Sequence, residues 1–178
     1  VGLVQLLHDL PDFDAIDAIK SNEIAYRSRK IIWVGNSKWG ERLGYKDHKG
    51  LNRYAIPVFH ALKALDDSIN FEIIDSSIKN VPYENVLLSI RESFCLIVTS
   101  DSEGTCLPLI EACALGTPVV TFDVGIAREL LVGDLAVQIS PRDLNCMTKL
   151  IIESVLNVEQ VSRRSELGAT SYRSRVES

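Results

Sequence analysis

Glu103 and Glu111 have seven residues between them, in a stretch that runs from Ser100-Asp101-Ser102 through Glu103-Gly104-Thr105 into the apolar segment Leu107 to Ala114. That segment, with Pro108 in its first turn, predicts a helix. A helix start presents unpaired backbone N–H groups and partial positive charge, which favour an anion. Gly104 omits a side chain where a ligand can approach closely, and Thr105 offers a phosphate oxygen both a hydroxyl and an N–H. Cys106 and Leu107 stand at the helix start itself. Either carboxylate would repel a phosphate placed directly beside it, whereas an ionised carboxylate is a strong acceptor for hydroxyl donors. The residue types therefore favour a diphosphate at the helix start and sugar-type hydroxyls at Glu103 and Glu111.

A second segment supplies opposite charge. Between Arg27 and Arg53 the chain carries Arg27, Arg29, Lys30, Lys38, Arg42, Lys46, Lys49 and Arg53 against only Glu41 and Asp47, although its net charge is −5. The part from Asn36 to Gly50 follows an apolar run ending in Gly35 and contains Gly40, Gly44 and Gly50. Connections in alternating α/β units usually take about 2 to 6 residues, so a cationic loop of this length reads as ligand-binding. His8, His48 and His60 lack metal-ligand spacing and read as surface or packing residues. Trp33 and Trp39 read as packing residue and loop anchor rather than base-stacking platforms. Cys106 is expected to pack, although a helix N-terminus is a place where a thiol can become reactive.

Short apolar runs alternating with helical patterns predict an α/β fold, a doubly wound, mostly parallel sheet of Rossmann-like type. Six strands are expected: Ile31–Gly35, Phe71–Asp75, a short one over 78–81, Phe94–Thr99, Pro118–Phe122 and Leu135–Ile139. Helices are expected from Ile56 with Val58, Phe59, Leu62 and Leu65 inward, over Tyr83–Arg91 with Val86, Leu87 and Ile90 inward, over Leu107–Ala114, and over 142–157 with Leu144, Met147, Ile151 and Val155 inward. Residues 1–30 read as a linker or docking segment, 31–157 as the ligand-binding domain, and 158–178 as a polar C-terminal helix or frayed tail. In a sheet of order 3-2-1-4-5-6 the ligand crevice lies between strands one and four. Topology alone then brings the loop Asn36–Gly50 beside the loop Ser100–Thr105.

Residues 94–132 resemble the GT-B fold glycosyltransferases of the family-4 type. The resemblance rests on Glu103 and Glu111 at their spacing, a small-residue helix, the strand Gly116-Thr117-Pro118-Val119-Val120, and the turn Asp123-Val124-Gly125 before Glu129-Leu130. It implies the C-terminal, donor-binding half of a GT-B fold, in which Glu103 contacts the donor sugar, Glu111 holds the ribose hydroxyls, and Gly104 and Thr105 lie against sugar and diphosphate. Lys49-Gly50 matches the family's Lys-Gly pair. Asn36 after Gly35 stands where the family has an arginine, leaving Lys38, Arg42 or Lys46 as substitutes for that cation.

The resemblance further implies transfer of a hexosyl group from a UDP- or GDP-sugar to a glycan, lipid or other acceptor, with retention. Lys49 and the helix start would stabilise the leaving diphosphate with no required cofactor or metal. An N-terminal acceptor-binding domain would complete the enzyme, so the chain alone is expected to bind donor without efficient transfer. A noncatalytic GT-B-like module acting as subunit or regulator, and a nucleotide-sugar epimerase, are the competing readings. A glycosidase pair would need its carboxylates facing one bond across about 5 to 10 Å, usually from separate elements. The acidic balance speaks against a nucleic-acid partner. Cys95, Cys106, Cys113 and Cys146 lack zinc-site spacing and read as reduced thiols. With reduced cysteines and no apolar run near the roughly 18 residues of a membrane span, a cytoplasmic location is expected, peripheral at most to a membrane's cytoplasmic face, and the resemblance implies a role in polysaccharide biosynthesis.

Overall fold

In the computed structural model, residues 11–21, 28–130 and 137–156 are described. Five strands, β1 (Ser28–Gly35), β2 (Asn70–Asp75), β3 (Ser93–Val98), β4 (Val119–Thr121) and β5 (Val137–Ile139), form one sheet of order β2-β1-β3-β4-β5. Every pairing is parallel. Such a sheet must be covered on both faces, which explains why β3 (SFCLIV) is buried along its whole length and why β1 buries Ile31, Ile32 and Trp33. The helices are α1 (Phe13–Ser21), α2 (Ile56–Leu65), α3 (Tyr83–Glu92), α4 (Leu107–Ala114), α5 (Ala127–Leu130) and α6 (Leu144–Leu156). Helix α3 packs against α1 and α4, and α2 packs against α6. The chain is a doubly wound, Rossmann-like α/β domain.

Several expectations need correction. Residues 78–81 are not a strand: the N–H groups of Ile78 and Lys79 both bond the Asp75 carbonyl, which turns the chain away from the sheet and leaves Ile78 79% exposed. Helix α2 does begin at Ile56, but a π turn, Leu51–Ala55, precedes it without a break, so helical structure extends back to Gly50. Asp47 holds that earlier start, its carboxylate accepting the N–H groups of Asn52 and Arg53. Pro57, with no N–H to donate, sits just past the joint between the two turns. Leu65 and Leu144, expected inward, are 67% and 37% exposed because each falls at a helix end where the buried stripe has run out.

The segment before β1 contributes α1, whose Ile16 and Ile19 are buried in the core. Strand β1 itself begins at Ser28, three residues earlier than the apolar run suggests, with a register irregularity between Ser28 and Ile31 against β3. Residues 158–178, the beginning of the expected strand at Leu135, His8, and the side chain of Val155 lie outside the described residues.

The two loops at the centre of the sheet's carboxyl edge meet at Gly50. A Cβ there would lie 2.2 Å from the Thr99 carbonyl oxygen, and the backbone φ of +67° is one that L side chains rarely adopt. Gly44 has φ +86° but open space around it. Gly50→Ala therefore meets steric exclusion as well as backbone strain and is expected to cost about 3 kcal/mol, against about 1 kcal/mol for Gly44→Ala. Urea unfolding of the two variants checks this. Equal losses would show that the loops do not approach as described.

Candidate functional site

Strand order reverses between β1 and β3, so the chain leaving β1 and the chain leaving β3 splay apart there and leave a crevice. A cleft of about 430 Å3 lies at that point. Gly35, Asn36, Trp39 and Lys49 line it from the β1 side, and Ser100, Glu103, Thr105, Cys106 and Leu107 from the β3 side. Gly50, Gly104 and Glu111 are not among its lining residues.

The centre of the site is an ion pair. Lys49 Nζ donates to both carboxylate oxygens of Glu103, at 2.6 and 2.8 Å, and the Ser100 hydroxyl donates to the same carboxylate. The two side chains are only 19% and 11% exposed. Such a pair persists when both partners stay hydrogen-bonded, and losing one would strand the other charge away from water. Lys49 is placed by its own backbone, whose carbonyl accepts the Thr99 hydroxyl while Trp33 Nε1–H donates to that hydroxyl oxygen. Lys38, Arg42 and Lys46 are exposed and do not line the cleft. The loop that carries them makes a 3₁₀ turn at Glu41–Leu43.

Helix α4 begins at Leu107 after Cys106, which adopts φ +61°, and no side chain caps it. Pro108 has no N–H, so the donors at the helix start are the N–H groups of Cys106 and Leu107. The Cys106 thiol is buried and pushed up to about 12 by that burial, with Glu103 adding to the effect; it is a packing group, not a reactive thiolate. The turn Asp123-Val124-Gly125 presses on the loop from below: a Cβ on Gly125 would lie 2.9 Å from the Gly104 carbonyl oxygen.

Sequence reasoning missed the groups that fix the loops. Asp101 is bracketed by Arg53 at 2.6 Å and Arg142 at 3.1 Å, and Arg142 also donates to the Ser100 and Asp101 carbonyls. The Arg142 guanidinium lies 5.0 Å from the Phe122 ring centroid. At the root of the β1 loop, Asp75 Oδ1 accepts the N–H groups of Ser37 and Ser77, while its Oδ2 is buried without a partner among the described residues. Burial alone would raise this carboxyl, but the bonds from Ser37 and Ser77 outweigh it and hold it below its ordinary value. An arginine or aspartate far from the motif in sequence gives no local signal of these contacts. Among the described residues no group of three His, Cys, Asp or Glu could hold a metal ion.

Glu111 sits one turn into α4, 4% exposed, with its Oε1 accepting the Tyr83 hydroxyl of α3 at 2.8 Å. Burial raises its carboxyl above the ordinary value, against the pull of the Tyr83 bond. A raised carboxyl binds its proton more tightly folded than unfolded, so it favours the fold at acid pH and opposes it as pH rises from about 4 upward. Glu111→Gln keeps an acceptor for Tyr83 and removes the buried charge. Its thermal midpoint is expected above wild type at pH 7, with the difference shrinking toward zero as pH falls below the carboxylate range. A difference independent of pH would contradict this account of Glu111.

Comparison with known proteins follows the same outline. TarM of S. aureus, in a structure holding UDP, is 16% identical with a TM-score of 0.61, over 90% of this chain and 39% of that one. Sucrose-phosphate synthase of Thermosynechococcus elongatus is 17% identical with a TM-score of 0.54, over 90% of this chain and 44% of that one. A candidate UDP-N-acetylglucosamine 2-epimerase of Listeria monocytogenes is 11% identical with a TM-score of 0.52, over 93% and 46%. At these identities the likeness concerns the fold, and the chain spans less than half the length of each of these proteins. A sequence comparison with curated proteins gives no significant match. Residues 76–166, just over half of the chain and including β3, both glutamates, α4 and β4, match the family model described as glycosyl transferases group 1. The chain belongs to that family, in a Rossmann-like fold of the GT-B type.

Proposed function

We propose that this chain is the donor-binding half of a retaining glycosyltransferase that takes a UDP- or GDP-sugar and passes its hexosyl group to a glycan, lipid or other acceptor. The observation that carries the reading is the Lys49–Glu103 pair at the wall of the crevice beside the start of α4. A ligand that places its diphosphate at the α4 start meets N–H donors, the Thr105 hydroxyl and the Lys49 ammonium together. Its sugar hydroxyls then face the Glu103 carboxylate, which Lys49 and Ser100 hold in one orientation. As the bond to the anomeric carbon breaks, charge grows on the diphosphate oxygen, where Lys49 and the helix start already point positive charge. The reading asks for no metal and no cofactor.

Glu111 fits less directly. In this reading it takes the ribose hydroxyls with the carboxylate oxygen that Tyr83 does not occupy. Acceptor choice and the remaining catalytic groups belong to an N-terminal domain; the chain's span of under half of each similar structure supports that division. A cytoplasmic enzyme of polysaccharide assembly, peripheral at most to a membrane, is the setting that goes with such donors. Among the described residues no helix is long and apolar enough to cross a membrane.

One observation favours a noncatalytic module instead: Asn36 stands in place of a cation, and Lys49 is the sole Lys or Arg among the described cleft-lining residues. An epimerase would convert the donor sugar with no acceptor present. Calorimetric titration with UDP and GDP separates the first two readings. The wild-type chain is expected to bind one of them, and Lys49→Met, which removes the phosphate-facing charge, to weaken it by about tenfold or more. Absence of wild-type binding would contradict the donor reading.

A further inference from the structure

The loop after β1 carries an aromatic cluster that phosphate binding does not require. The rings of Trp39 and His48 lie 4.6 Å apart, Tyr45 and His48 5.2 Å, and Trp39 and Tyr45 6.4 Å. His48 is 6% exposed and its Nε2 is 3.1 Å from the Ser102 carbonyl oxygen. The cluster is thereby tied to the loop that carries Glu103. Trp39 nevertheless keeps 47% of its surface exposed, and it lines the cleft. An indole serving only to anchor the loop would gain more by burying its area. A ring braced by neighbours and left open toward a cleft is what stacking on a ligand needs.

Lys49 fixes which part of the ligand that is. Its Nζ lies over the Trp39 ring, 5.4 Å from the centroid, and 2.6 Å from Glu103 Oε1, so the indole and the carboxylate share one ammonium at the cleft wall. With the diphosphate at the start of α4 and sugar hydroxyls at Glu103, the glycosyl ring is the moiety that reaches Trp39. We propose that Trp39 is the stacking platform for the donor's glycosyl ring, and thus a specificity-determining residue of the cleft. The apolar C–H face of the pyranose lies on the indole while hydroxyls at its rim reach the Glu103 carboxylate. Sugars with an axial hydroxyl on the stacked face lose contact and bind more weakly. This inference rests on the donor reading above.

Titration of the 178-residue chain with UDP, GDP, UDP-glucose, UDP-N-acetylglucosamine and GDP-mannose tests it against wild type, Trp39→Ala and Trp39→Phe. Trp39→Ala is expected to weaken the preferred nucleotide-sugar by about tenfold while changing the matching nucleoside diphosphate by less than about twofold, and Trp39→Phe to recover most of the loss. The unchanged diphosphate affinity shows that the loop still folds. Trp33 is 2% exposed and is the chain's only other tryptophan, so a shift in exposed-indole emission caused by the nucleotide-sugar and not by the diphosphate reports stacking directly. Equal losses for sugar and diphosphate, or no loss for either, would overturn the proposal while leaving the donor reading in place. If wild type binds neither UDP nor GDP, the donor reading falls and this inference with it.

Discussion

The site depends on one close approach: the backbone of Gly50 against the carbonyl of Thr99. No side chain fits between them, so the loop leaving β1 and the loop leaving β3 come within hydrogen-bonding reach. The chain Trp33 Nε1–H to Thr99 hydroxyl to Lys49 carbonyl then closes the contact from inside the sheet. Everything that could do chemistry hangs from that clasp. Lys49 meets Glu103 because its main chain is fixed one residue before Gly50. Asp101, gripped by Arg53 and Arg142, and Gly125, pressed beneath Gly104, hold the other side.

Charge is arranged to the same end. The chain is acidic overall, yet its cations crowd the segment from Arg27 to Arg53. Most remain at the surface, where single charges contribute little. Lys30 and Lys49 are the exceptions, largely buried and paired with Glu72 and Glu103, and of the two only Lys49 lines the cleft. A buried pair of this kind contributes orientation more than stability. In the proposed donor complex the diphosphate shares Lys49 with Glu103, and a sugar hydroxyl that donates to Glu103 compensates for the sharing. Phosphate and sugar are therefore recognised together in this account, not as separate ends.

The strands and the crevice were legible in the sequence because buried parallel strands are continuous apolar runs, as IIWVG and FCLIV are, and because the strand order places the ligand edge. The Glu103 to Glu111 stretch stands out in the sequence because its motif is local, and the fold brings Glu103 to the cleft while burying Glu111 outside its lining. Illegible features depended on contacts across the fold. Ile78 to Val81 has strand-like composition, but Asp75 holds its start in a turn. The exposure of Leu65 and Leu144 follows from their places at the end of α2 and the start of α6. Tyr83 and Glu111 are far apart in the chain and meet only because α3 lies on α4. The Lys49-Gly50 pair pointed to Lys49 in the sequence itself, whereas the aromatic cluster beside it is assembled only by the fold.

The most direct measurement is a crystal structure of the chain with a nucleoside diphosphate-sugar that it binds. The account predicts the β-phosphate within about 3 Å of Lys49 Nζ and of an N–H at the start of α4, with the glycosyl ring between Glu103 and Trp39. A ligand lodged away from the β1–β3 crevice, or one that reaches the crevice with its phosphates distant from Lys49, would contradict it.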